Sequence, residues 1–169
     1  MSTLLDRLRS LTRVTRRDPH LVSIVVRSYV LMVVARAVIT LFPLRMITRH
    51  LGVEVQVSEA DREPPLAVTP EQLRYARRVS WSIRKASPHT PTNSNCYPQA
   101  LAARFLLHRK RIPSTTYYGA AFDAERAGLE THVWIRCGTY IVPGARVHRR
   151  FAVVSAYEDL PERHQLARG

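Results

Sequence analysis

The chain predicts an α+β fold. Up to Pro113 its apolar residues recur at helical spacing, and beyond it they alternate with a period of two. Two proline-marked helix starts, Asp18-Pro19 and Thr69-Pro70, fall in the first part, and a Cys137-Gly138 turn falls in the second. Helices followed by strands, rather than alternating with them, point to an antiparallel sheet carrying a helical layer.

Each element has a local reason. Leu4, Leu5, Leu8, Leu11 and Val14 stand among arginines and predict an amphipathic basic helix over residues 2–16. Asp18 can cap free N–H groups and Pro19 fits the first helical position, so a second helix runs to about Leu41 and ends at Pro43. A shorter helix from Leu44 to Leu51 stops at Gly52, a natural left-handed cap. Val53, Val55 and Val57 alternate with polar residues and suggest a short extended segment. Glu63-Pro64-Pro65 then reads as a linker. The organisation that follows is an N-terminal helical extension over residues 1–60 and a second unit over residues 69–160.

Thr69-Pro70-Glu71-Gln72 is a capping box, and Leu73, Ala76, Val79 and Ile83 form one face of the helix it starts. The polar loop His89 to Asn95 leads into a helix from Cys96 to Arg111. Cys96, Ala100, Ala103 and Leu107 share one side of it. Basic residues crowd its last turn, where the helix dipole favours cations. Strands follow over 114–122, 131–136, 139–142 and 151–157, rich in β-branched and aromatic residues.

The composition narrows the function classes. With 46% hydrophobic residues the chain can bury a core. Its 26 basic and 13 acidic residues give a formal charge of +13, almost all of the excess being arginine, with lysine only at Lys85 and Lys110. The arginines are scattered and no ribonucleoprotein motif accompanies Tyr117 and Tyr118, so no nucleic-acid partner is expected. Two cysteines are too few for a disulfide framework and form no Cys-x-x-Cys pair; neither metal nor cofactor is expected. The first 17 residues have no apolar core of a secretory signal, and a cytoplasmic location is expected. The apolar stretch from Leu21 to Leu44 is interrupted by Arg27 and Arg36. Each would cost about 2.5–3.5 kcal/mol near a bilayer centre. A buried helix is the leading expectation there, with peripheral membrane contact as the lesser one.

Cys96 is the candidate nucleophile. A thiol reacts as its thiolate, and a helix N-terminus or a nearby imidazolium stabilises that charge. The helix start supplies the first, and His132 on its strand can supply the second. The backbone N–H groups of Cys96 and Tyr97 can hold the oxyanion of a tetrahedral intermediate. Cysteine also simply packs in many proteins, and that is the reading for Cys137, beside its turn glycine.

The stretch from Asn95 through Cys96, Tyr97, Pro98, Gln99, Ala100, Leu101 and Ala102 to Leu107 resembles a family pattern, C-x-P-Q-A-L-A-x-x-x-L-L. Arg111-Ile112-Pro113 is similar to that family's R-G-I-P, and Thr131-His132-Val133-Trp134-Ile135-Arg136 to its A-H-A-W-V-E. Leu41-Phe42-Pro43-Leu44-Arg45 with Leu51-Gly52 is similar to its L-P-F-R … L-G. The family is that of the leader peptidases of lasso-peptide biosynthesis, the microcin-processing B proteins, cysteine peptidases with a transglutaminase-like, papain-related fold.

That resemblance covers roughly residues 20–155. It implies Cys96 as nucleophile and His132 as general base, acting on a precursor peptide. It further implies a separate leader-recognition protein and an ATP-dependent lasso cyclase as partners. Gln99 matches the pattern, either assisting the oxyanion hole with Tyr97 or fixing the helix. The family usually places an acid about one strand beyond the histidine, but Tyr140 to Gly144 contains none. The residue orienting His132 is therefore unassigned, with Asp123, Glu130, Glu158, Asn93 or a backbone carbonyl as candidates. The same dyad would also serve an acyltransferase of transglutaminase type. A non-catalytic basic peptide- or RNA-binding module is the remaining alternative.

Overall fold

The computed structural model describes residues 18–56, 66–91, 95–123, 128–143 and 148–160. The amphipathic segment expected at residues 2–16 lies outside these, as does Asn93.

Helix α1 spans Pro19–Leu41, and the Asp18 carboxylate accepts from the backbone N–H of His20 at 3.0 Å and Leu21 at 3.2 Å. Phe42 leaves the helical conformation ahead of Pro43. Helix α2 is one turn, Leu44–Thr48, shorter than expected because the chain passes into turns before Leu51. Gly52 then takes φ +121°, where a Cβ would collide with the Glu158 carbonyl. A side chain there would push β1 (Val53–Val55) off its partner strand.

Helix α3, Pro70–Ala86, starts with the full capping box. Gln72 N–H donates to Thr69 Oγ1 at 3.2 Å, and Thr69 N–H to the Gln72 side chain at 2.8 Å. A 3₁₀ turn, Ser87–His89, follows it. Helix α4 spans Cys96–Arg109. Strands β2 (Ser114–Asp123), β3 (Gly128–Cys137), β4 (Tyr140–Val142) and β5 (Ala152–Asp159) complete the chain. All pairings are antiparallel, in the order β1-β5-β2-β3-β4. The predicted α+β class is the observed one.

The sheet has two covered faces because successive side chains alternate. Val133, Ile135 and Cys137 of β3 turn towards the helices. There they join Ile24 and Met32 of α1, Ala76, Val79 and Ile83 of α3, and Ala100, Ala103 and Leu107 of α4 in one core. The alanines of α4 allow that helix to lie close on the strands. Helix α1 thus shares one core with α3, α4 and β3. On the other face, Tyr117, Trp134, Phe151 and Ala156 form a second cluster.

One buried polar contact ties these layers together. Asp159, fully buried at the end of β5, accepts from His108 Nδ1 at 2.9 Å and lies 3.5 Å from Arg104 Nη2. Arg104 also donates from Nε to the Leu51 carbonyl at 2.9 Å. Two successive turns of α4 are thereby fixed to β5 and to the turn before β1. Burial lowers the Arg104 pKa and Asp159 opposes that shift. Removing one partner of a buried pair leaves the other charge uncompensated. The Asp159→Ala variant is expected to lose about 3–5 kcal/mol, measured as a fall in the urea midpoint at unchanged slope.

Candidate active site

Cys96 is the first residue of α4, half-buried and in the free thiol form. Asn95 occupies the N-cap in extended conformation without a side-chain cap hydrogen bond. The N–H groups of Cys96 and Tyr97 therefore have no acceptor within the helix, and Pro98 has no N–H to offer. The first N–H in the helical ladder is that of Gln99, 3.5 Å from the Asn95 carbonyl. A positive helix end with two open donors suits an oxyanion formed beside Cys96.

Two contacts hold this helix start. Gln99 Nε2 donates to Ser87 Oγ at 2.9 Å, joining α4 to the 3₁₀ turn after α3. Tyr97 accepts a hydrogen bond from Tyr118 Oη at 3.1 Å, the two rings meeting edge to face. Tyr118 stands next to Gly119, which pairs with His132 across the β2–β3 ladder. The start of α4 and His132 thus lie at neighbouring levels of the strands.

They do not lie on the same face. His132 belongs to the Trp134 side of β3, turned away from α3 and α4. Its ring stacks on Phe151 at 5.0 Å and on Trp134 at 5.8 Å between centroids. No hydrogen bond joins Cys96 to His132 among the described residues. Gly119 lets the ladder close over this aromatic bed, since a Cβ there would stand 2.7 Å from the Trp134 ring and 2.8 Å from Phe151 Cβ. Strand β4 pairs with Ile135, Arg136 and Cys137 of β3.

The acidic candidates separate by position. Glu158 lies five residues along β5 from Val153, the neighbour of Gly119, and so roughly 17 Å from the level of His132. Asp123 lies four residues along β2 from Gly119, roughly 13 Å away. Glu130 shares the face of His132 two residues before it, but is half-exposed and pairs with Arg150 at 3.6 Å. The β4 position on that face opposite Arg136 is Ile141. Asp159, the acid that the fold buries completely, has no local sequence signal, because a carboxylate at a strand end reads as exposed. It lies one residue beyond Glu158 and serves α4 rather than His132.

Cys137 is fully buried, as expected, and burial pushes its thiol up to about 11. Burial also raises the phenols of Tyr97 and Tyr118 above their ordinary value of 10.0. No cluster of three or more potential metal ligands occurs among the described residues.

Residues 38–156 match the family profile described as the transglutaminase-like superfamily. The match covers most of the chain, and the protein belongs to that superfamily, whose members are typically cysteine-dependent enzymes of thiol-peptidase or acyltransferase type. No curated protein and no solved structure matches the chain.

Two outcomes follow from the placement of the thiols. Iodoacetamide at neutral pH is expected to alkylate Cys96 and spare Cys137 in the folded protein, read by peptide mass spectrometry. Equal labelling of both would contradict the burial of Cys137. Stability is also expected to fall in alkali. Above the ordinary thiol value of 9.0 the unfolded chain releases the Cys137 proton, while the folded chain keeps it to about 11. The unfolded state then binds fewer protons, so stability decreases as pH rises through this window and is unaffected by this group below it. Tyr118 acts with the same sign above 10.0. Urea midpoints measured between pH 7 and 11 test the sign.

Proposed function

We propose that this member of the transglutaminase-like superfamily is a cysteine peptidase that removes the leader from a lasso-peptide precursor. The observation that carries the reading is the placement of Cys96. It is an accessible thiol at the opening of α4, with two N–H groups lacking helical acceptors, inside the Cys-Tyr-Pro-Gln-Ala-Leu-Ala stretch that resembles the leader peptidases.

In this reading the Cys96 thiolate attacks the scissile carbonyl carbon, and the N–H groups of Cys96 and Tyr97 hold the oxyanion. His132, whose ring lies on the opposite face of β3 in this structure, must reach the thiol to take its proton and deliver it to the leaving amine as the C–N bond breaks. Water, deprotonated by His132, then attacks the thioester, releasing the leader carboxylate and the thiol. Thiols ionise readily enough that a dyad without an orienting acid remains competent. A separate leader-recognition protein presents the precursor, and the cyclase receives the freed core peptide, in the cytoplasm. An acyltransferase would differ only at the second step, where an amine replaces water.

The test is to incubate the chain with a precursor and its leader-binding protein and follow leader release by mass spectrometry. Cys96→Ala is expected to abolish release, and His132→Ala to slow it by about 10²–10⁴-fold. Undiminished release by Cys96→Ala would sink the thiol mechanism. A product carrying added amine in place of the carboxylate would identify the acyltransferase.

A further inference from the structure

Helix α1 is apolar on the side that faces the fold and apolar on the side that does not. Ile24, Ser28, Met32 and Ala35 are buried against α3 and α4. At about 100° per residue, Val26, Val30, Val34 and Leu41 fall on the opposite side of the helix. They are 56%, 51%, 50% and 74% exposed. Only 22% of the apolar window of α1 is buried, far less than the core helix of a soluble domain would show. The exposed surface continues through Phe42, Leu44 and Met46 onto Phe105 of α4. It borders an apolar cleft of about 410 Å³ between α1, α2 and α4.

The charges around this surface are of one sign. From Pro19 to Val53 the chain has no aspartate or glutamate, and it carries Arg27, Arg36, Arg45 and Arg49. At about 100° per residue, Arg27 and Arg36 fall on either flank of the exposed stripe of α1. None of the four arginines pairs with a carboxylate among the described residues. Apolar residues flanked by arginines, with no acid within the segment, complement a surface that is apolar inside and anionic at its rim. We propose that α1 and α2 dock this protein on an anionic lipid bilayer, α1 lying along the interface. The stripe enters the acyl boundary and the arginines meet the headgroup phosphates.

A second copy of the chain fits less well, because it would set arginine flanks against arginine flanks. Crossing the bilayer is excluded for the folded chain, since one side of α1 forms the core shared with the sheet.

The test uses the full chain in vesicle flotation at low and high salt, with vesicles of phosphatidylcholine alone or mixed with phosphatidylglycerol. Binding is expected to the anionic vesicles, to weaken with salt, and to be at least about tenfold weaker to the neutral ones. Val30→Glu with Val34→Glu, both at exposed positions, is expected to lower the partition by about tenfold or more. Its circular dichroism and Cys96 labelling should match the parent. Failure to bind anionic vesicles overturns the proposal, as does equal binding by the double variant. A soluble dimer seen by light scattering and dispersed by the same substitutions would overturn it in favour of a second copy.

Discussion

Asp159 receives two side chains of α4, His108 and Arg104, and the placement of the candidate nucleophile depends on that buried contact. His108 and Arg104 lie one turn apart on the helix, so a single carboxylate fixes both its position over the sheet and its rotation about its own axis. The Arg104 guanidinium extends the hold to the Leu51 carbonyl, where the chain enters β1. With the C-terminal half of α4 clamped, its N-terminal half is set by Gln99 on Ser87 and by the Tyr97–Tyr118 pair. Cys96 is thereby presented by a rigid helix rather than by the loop that precedes it.

The cost of that arrangement is chemical. A buried carboxylate and guanidinium lose solvation that their attraction only partly restores, so the clamp adds specificity of position more than net stability. The alanines beneath Cys96 act in the same direction. They bring α4 close to β3 and leave the core no larger side chain with which to shift register. The opposite face of the sheet is built differently. Tyr117, Trp134, Phe151 and His132 stack there, and Gly119 is the small residue that lets them close. The two faces of one strand therefore have separate tasks. Val133 and Ile135 seat the helix, while His132 stands in an aromatic bed.

Much of this was legible in the residues. Asp18-Pro19 and Thr69-Pro70 locate helix starts to the residue, because capping is decided by a few neighbouring groups. The opening of α4 at Cys96 was legible for the same reason, together with the alternation that makes β2, β3 and β5. The helix at Leu44 was drawn too long, since its apolar residues continue past the point where the chain turns. The role of Asp159 is not legible in the sequence for a physical reason: its two partners lie 51 and 55 positions away on α4, and no local pattern announces a pairing at that separation.

What the sequence determined by itself is the local chemistry: a thiol at a helix N-terminus, with open N–H groups and proline in the first turn. It also determined that His132 and Trp134 share one side of β3 and Val133 and Ile135 the other, since that parity follows from the strand period alone. Which side receives the helices was decided only in the tertiary structure. That choice depends on how the apolar faces of α1, α3 and α4 combine over Val133, Ile135 and Cys137, a sum over residues far apart in the chain. The same sum leaves the outer side of α1 bare, because α3 and α4 bury only one side of a helix that is apolar on both.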